Sequence, residues 1–373
     1  MRLIHISDTH LGYSEYHKID SVTGINQREQ DFYNAWNRII DEIIMHKPDM
    51  VLHTGDLFHT TRPGNRAIAV ALEGIKKISD HHIPLVLISG NHSTPKIRAT
   101  GSIFESIDLF PYVHAAYQNI YERFRIGECD VHCVPHCSLV DELECAFNQI
   151  KIASDATYNL FMAHGTWTGS RFYSMGEFNE QHLPDPELLL KRSFDYIALG
   201  HYHKFLEISD HIIYCGSTER TSFNEVGYSS GYVWVDLDAR THEYHSIPSR
   251  KMCKLPAIDC KDLTINKIYD SIKEKATPDL EHSLVALELK NVRHDTFLRI
   301  DWKQIDDMFD HVFHLEKTVT RIDKDNVELS SAAIQSLPVE FERYLDQLEF
   351  NELDPDRLKK LGLDYLDIES IDD

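Results

Sequence analysis

Five short apolar runs constrain this chain more than any other feature: RLIHIS (2–7), DMVLHT (49–54), IPLVLIS (83–89), YNLFMA (158–163) and FDYIAL (194–199). Each is strand-length, and most are rich in β-branched residues. Helical patterns separate several of them. In QREQDFYNAWNRIIDEIIMHK, residues Phe32, Trp36, Ile39, Ile40, Ile43 and Ile44 fall on one face of a 3.6-residue period. Strands alternating with helices predict a layered, largely parallel α/β sheet covered by helices. In such a sheet, ligands bind beyond the carboxyl ends of the strands.

The residues just past the end of each run are therefore the informative ones. The first run delivers Asp8 and His10 (DTHLG), the second Asp56 and His59 (GDLFH), and the third Asn91 and His92 (GNHS). The fourth delivers His164 (HG), and the fifth His201 and His203 (GHYHK). In extended backbone, residues i and i+2 point the same way, so His201 and His203 can reach one small volume. Such a pair means little alone in a chain with 23 histidines, and His311 and His314 form another. D-x-H also occurs at 80–82 and 130–132, but neither copy ends a predicted strand. The ordered set, always in the same structural context, points to metal.

Asp8, His10, Asp56, Asn91, His164, His201 and His203 offer two carboxylates, four imidazoles and one amide. A mixed oxygen and nitrogen set suits octahedral Mn²⁺ or Fe better than closed tetrahedral zinc, and seven ligands exceed what one ion needs. Asp56 can bridge two ions, which in two-metal hydrolases lie about 3.5–4 Å apart. Glycines 55, 90, 165 and 200 flank the ligands and let the backbone approach closely. Two divalent ions would outweigh the two carboxylates and leave a locally cationic site that attracts phosphate.

The remaining composition sets bounds. A chain of 373 residues, 42% apolar, suggests two domains. Its net charge of −22 excludes a general polyanion binder, so any nucleic-acid role must come from a local site. Seven scattered cysteines fit free thiols in a reducing compartment, and Cys129, Cys133 and Cys137 sit in a strand-like stretch without paired C-x-x-C knuckles. MRLIHISDTH shows no export signal, and no apolar run is long enough to span a bilayer. The expectation is a protein that is not secreted, cytoplasmic and nucleoid-associated in a prokaryote.

The ordered motifs D-x-H, GD, GNH, H and GHxH resemble those of the calcineurin-like metallophosphoesterases. More narrowly, GDLFHTTRP, GTWTGSRFY and YCGSTERTSFNE resemble the SbcD-type, or meiotic-recombination-eleven-type, nuclease subunits of DNA double-strand-break repair; the likeness covers roughly residues 1 to 240. It implies a sheet sandwich flanked by helices and two Mn²⁺ per chain, with Fe or Mg²⁺ less suited. One ion would sit on Asp8, His10, Asp56 and His203, the other on Asp56, Asn91, His164 and His201. His92 would stand beside the scissile phosphate as a non-ligand catalyst. His59 would help to place the DNA strand, with a plain loop histidine as the alternative. Ser93 departs from the acidic residue that relatives often carry after GNH.

The resemblance also implies hydrolysis of a phosphodiester by in-line attack of activated water: exonuclease on duplex ends, 3′ to 5′, and endonuclease on single strands or hairpins. It gives a nuclease domain over 1–245, a small α/β capping domain over 250–330 that shapes a DNA cleft, and a tail over 331–373. That tail holds twelve acidic and four basic side chains and has the pattern of two short helices. It would grip an SbcC-type, SMC-like coiled-coil ATPase in a homodimeric assembly, away from membranes. Lys96, Arg98, Arg171 and Lys204 are loop cations that could touch phosphate. Other substrates remain open on the same chemistry, a phosphoprotein or a small phosphodiester, although the phosphatase signature G-D-x-V-D-R-G is absent. A non-catalytic DNA-tethering subunit is the remaining alternative.

Overall fold

The two faces of each apolar run go to two different cores. The structure is a computed structural model, and it describes residues 1–95, 98–152, 154–167, 180–184, 193–322 and 357–359. Strands β1 (Arg2–Ile6), β2 (Met50–His53), β3 (Leu85–Ile88) and β4 (Val113–Ala116) pair in parallel, in that order. Along them Ile4, Ile6, Val51, Leu85 and Leu87 meet the helices, while Leu3, Met50, Leu52, Val86 and Ile88 point the other way. This two-residue period fills both faces with apolar side chains, which is why the runs read as continuous rather than alternating.

The outer face of this sheet packs on α1 (Gln27–His46), α2 (Asn65–Asp80) and the short α3 (Phe104–Ile107). The Asn26 side chain starts α1 by accepting from the amides of Arg28 and Glu29, and Lys47 ends it in the left-handed conformation. Phe32, Trp36, Ile39, Ile40 and Ile43 are buried on the expected face. Each such side chain contributes about 1.5–3 kcal/mol of burial. Trp36 lies against Gly74 of α2, where a Cβ would stand 2.3 Å from its indole nitrogen, and it donates to the Val70 carbonyl at 3.2 Å.

The inner face packs on a second sheet. Its members are β5 (Glu122–Ile126), β6 (Cys129–Val134), β7 (Tyr158–His164), β10 (Tyr196–Gly200), β11 (Leu206–Ser209) and β12 (Ile212–Tyr214); between them fall the short strands β8 (Thr166–Trp167) and β9 (His182–Leu183). Val131, Leu160, Met162, Ala198 and Ile213 face the first sheet; Phe161, Ala163, Ile197 and Leu199 face α4 (Val140–Gln149). The result is a four-layer sandwich of helices, sheet, sheet and helix. Both sheets are parallel at the centre and antiparallel at an edge, where β13 (Gly231–Asp236) and β14 (Thr241–Ser246) extend the first sheet beside β1. Cys129 and Cys133 are core residues of β6, and burial pushes both thiols up, the first to about 12.

The chain divides into two compact units: Met1–Pro256, Ile272–Glu288 and Lys303–Thr318 form one, and Ala257–Ser271, Leu289–Trp302 and the described part of Val319–Asp373 form the other. Residues beyond 250 thus divide between them. Strands run over Leu284–Arg293 and His314–Ile322, and helices over Ile265–Lys275 and Trp302–Met308. In the second unit Ile258 and Asp259 pair with Leu289 and Lys290, and Arg321 sits 5.2 Å over the Phe297 ring. The tail expected over 331–373 lies outside the described residues apart from 357–359. Among the described residues, no helix is long and apolar enough to cross a membrane.

Candidate metal centre

Parallel pairing of β1 and β2 continues past the strand ends and sets the first half of the site. The amides of Asp8, His10 and Leu11 donate to the carbonyls of Gly55, Asp56 and Leu57 at 3.1, 2.9 and 2.9 Å. The loops bearing Asp8, His10 and Asp56 are therefore held side by side. All three residues have left-handed backbone, with φ of 50°, 42° and 51°, and His201 has φ 103°. Side chains seldom tolerate such conformations, which cost about 1–3 kcal/mol each and gather where a site demands them.

Glycines make room for this convergence. A Cβ on Gly55, whose φ is 107°, would stand 2.2 Å from His164 Nδ1, and one on Gly90 would stand 2.3 Å from Asp56 Oδ1. One on Gly200 would meet the Thr54 carbonyl at 2.2 Å. The strand ends of β1, β2, β3, β7 and β10 close on one another only because these positions lack side chains.

The nine predicted residues form one connected cluster. Asp8, His10 and His203 bring ligand atoms within 4.8 Å of one another, and so do Asp8, Asp56 and His164. His10 Nε2 and His203 Nε2 face each other at 3.0 Å. His164 Nε2 lies 2.9 Å from Asn91 Oδ1 and 3.3 Å from Asp56 Oδ2. The His201 amide donates to the Asp8 carboxylate at 3.1 Å, and its ring lies 5.4 Å from that of His164. His92 donates its amide to Asp56 Oδ1 at 2.9 Å, and its ring stacks on His59 at 5.1 Å. His59 Nδ1 is 3.4 Å from His10 Nδ1.

The donor chemistry fits divalent cations. His164 Nδ1 lies 2.8 Å from the Thr54 carbonyl, an acceptor only, so Nδ1 carries hydrogen and Nε2 is the atom turned to the cluster. His203 Nδ1 is likewise tied, at 2.8 Å, to Glu225 Oε1. In the neutral ring its Nε2 then presents a lone pair toward His10, an arrangement that a cation would relieve. Burial pulls the His164 ring down, but the Asp56 carboxylate more than offsets this and raises it to about 9. Burial would raise Asp56, yet His164 holds it well below the usual carboxylate range. Burial, reinforced by His203, pushes His10 well below its ordinary value and so keeps it neutral, the form that can coordinate a metal, whereas His164 would have to give up its proton to do so.

His92 is oriented differently. Its Nδ1 donates to the His59 carbonyl at 2.8 Å, which fixes the orientation of the ring. The neighbouring Ser93 is 2% exposed, and its hydroxyl has no hydrogen-bond partner among the described residues. Lys204 Nζ sits 5.6 Å over the Tyr228 ring. Lys96, Arg171 and the Arg98 side chain lie outside the described residues.

Residues 1–205, which carry all nine side chains of this cluster, match the calcineurin-like phosphoesterase family. The chain belongs to the calcineurin-like phosphoesterases. Among its relatives within that family are proteins called DNA double-strand break repair protein Mre11. That of Sulfolobus acidocaldarius is 26% identical over 346 residues, covering 88% of this chain and 85% of its own. The Thermoplasma acidophilum protein is 34% identical over 238 residues, 60% and 58% of the two chains. The Methanocaldococcus jannaschii protein is 28% identical over 286 residues, 72% and 73%.

Two carboxylates of this phosphoesterase's site carry no signal in the sequence pattern. Glu225 sits in YCGSTERTSFNE, a stretch that marks the family likeness without assigning this residue a role. Glu180 lies 3.4 Å from His201 Nε2 and accepts from the Thr166 hydroxyl, and nothing in the local sequence singles it out.

Proposed function

We propose that this phosphoesterase is the nuclease subunit of a DNA double-strand-break repair assembly, cutting phosphodiester bonds with two divalent ions, Mn²⁺ foremost. The observation that carries the reading is the convergence of seven donor residues of mixed oxygen and nitrogen type on one buried cluster, with His10 Nε2 and His203 Nε2 facing each other at 3.0 Å. Asp8, His10, Asp56 and His203 would hold one ion; Asp56, Asn91, His164 and His201 the other. Such ions polarise phosphoryl oxygens and lower the pKa of water toward neutrality. The DNA substrate is supported by the names of the three relatives given above, each a DNA double-strand break repair protein.

The chain's own residues supply position and protons. Asp56 accepts the His92 amide, so the loop bearing the proposed catalyst is fixed to the proposed bridging ligand. With Nδ1 engaged by the His59 carbonyl, His92 can use Nε2 to stabilise charge on phosphate or protonate the leaving oxygen. His59 then acts through its carbonyl as well as its ring. The proposed activities are 3′ to 5′ exonuclease on duplex ends and endonuclease on single strands and hairpins. Residues 250–330 would cap the cleft and 331–373 would bind an SMC-like ATPase of the SbcC type, in a homodimer.

The test is digestion of a labelled DNA hairpin beside a nitrophenyl phosphodiester. Both should be cut with Mn²⁺ and poorly with Mg²⁺, because four of the seven ligands are imidazoles and Mg²⁺ prefers oxygen shells. Cleavage of the small ester with none of the DNA would reject the nuclease reading, and equal rates in the two metals would reject the metal assignment.

A further inference from the structure

Glu225 is a buried carboxylate, 4% exposed, that the proposed mechanism does not use. It ends a short 3₁₀ turn, Phe223–Glu225, and turns back toward the site. Its Oε1 accepts from His203 Nδ1 at 2.8 Å and from the Thr221 hydroxyl, and its Oε2 accepts from the Thr221 amide at 2.8 Å. An ionised carboxylate accepts only, so His203 carries a hydrogen on Nδ1, and in the neutral ring Nε2 is then the atom with the lone pair.

The loop that carries Glu225 is itself clamped. Arg28 is fully buried; it pairs with Glu219 at 3.1 Å and with Asp31 at 2.8 Å, and donates to the Arg220 carbonyl. Glu219 in turn accepts the Arg220 amide at 2.9 Å. Arg250 makes two bonds to Asp31, at 2.6 and 2.7 Å. A buried charge network of this kind costs desolvation and is weak evidence for stability, but it fixes one arrangement of the backbone it touches. Here that backbone is the segment between Glu219 and Thr221, directly ahead of the Thr221–Glu225 contact.

We propose that Glu225 is a positioning residue that selects the His203 tautomer and thereby sets the affinity of the ion held by His10 and His203. This rests on the metal reading of His203 given above. Removing a carboxylate that orients a metal-bound imidazole costs about 10–100-fold in metal affinity. Glu225→Gln is the sharp variant, because it preserves volume. A glutamine satisfies Thr221 best when its carbonyl accepts the Thr221 amide; its NH₂ then faces His203 Nδ1 and donates to it, which moves the hydrogen to Nε2 and closes the ligand atom.

The experiment reads tautomers in the metal-free protein by ¹⁵N NMR of labelled histidines, then Mn²⁺ affinity by calorimetric titration. His203 should be an Nδ1–H tautomer in the unsubstituted chain and shift to Nε2–H in Glu225→Gln. One of two Mn²⁺ sites should weaken about 10–100-fold while the other is unchanged, and Glu225→Ala should weaken the same site with mixed tautomers. An Nδ1–H tautomer that persists in Glu225→Gln with both sites unaltered would overturn the proposal; if Glu225→Ala does not fold, Glu225→Gln decides alone. His203→Ala separates the premise from the inference: should it retain two ions, the metal reading of His203 fails, whatever the tautomer result.

Discussion

Gly55→Ala tests how the site is built, because it replaces no proposed ligand and acts through a close approach to one of them, His164. Two costs arise at once. The backbone of Gly55 has φ 107°, which an alanine adopts only with strain of about 1–3 kcal/mol. The added methyl carbon would also stand 2.2 Å from His164 Nδ1 and 2.7 Å from its Cγ, a contact that the ring must leave. Once the ring moves, the Nδ1–H bond to the Thr54 carbonyl at 2.8 Å is lost, a further cost of about 0.5–1.5 kcal/mol. The expected destabilisation is therefore about 1.5–4.5 kcal/mol.

Gly90→Ala provides the comparison. Its backbone is not left-handed, but its methyl would stand 2.3 Å from Asp56 Oδ1. It should disturb Asp56 rather than His164, without the dihedral strain. Urea unfolding of the metal-free proteins measures stability, and elemental analysis after Mn²⁺ loading and desalting counts ions. Gly55→Ala should be the less stable of the two and should lose one ion through His164. A Gly55→Ala protein within about 0.5 kcal/mol of the parent, still holding two ions, would refute the claim that this close approach sets the geometry.

Three further outcomes are expected. His92→Ser should lower DNA cleavage about 10²–10⁴-fold while two ions remain bound, whereas His201→Ala should cost an ion; metal loss in the His92 variant, seen by elemental analysis, would contradict its non-ligand role. In the metal-free protein His164 is raised from 6.5 to about 9 by Asp56, so the pair's contribution is complete below pH 6.5 and is lost as pH rises through about 9. Urea unfolding across that window should show a fall of about 3 kcal/mol, absent in His164→Gln, and a flat profile in the parent would exclude the ion pair. Removing residues 331–373 should leave cleavage of short DNA intact and abolish co-purification with the ATPase, so undiminished partner binding by the truncated chain would sink the assignment of the tail.

The proposed ligands were legible because they lie where a short-range rule applies. A strand buried on both faces announces itself as an apolar run, and in a parallel sheet the residue after the run is near the ligand-binding edge. Asp8, Asp56, Asn91, His164 and His201 could thus be found one strand at a time, without knowing the strand order. The division into two sheets could not be read from the runs alone. Leu52 and Val51 are both apolar, and only tertiary packing reveals that one meets the second sheet and the other meets α1 and α2. The resemblance, not the periodicity, supplied the sandwich.

Glu225 marks the boundary of that rule. It stands on no strand end; its role depends on a bond across 22 residues to His203 and on a loop closed by Arg28 from 191 residues away. A glutamate in SFNE reads as surface charge until the fold buries it, since acidic residues are seldom fully buried without a partner. The same holds for the His59 carbonyl, a backbone atom that every sequence offers at every position and that here fixes the His92 ring. Ligand identity is written in side-chain type and is local, whereas ligand orientation is written in contacts that only the assembled fold creates. A phosphoesterase with all seven ligands intact could therefore still lose an ion through a substitution at Glu225, Gly55 or Arg28, none of which is one of the proposed ligands.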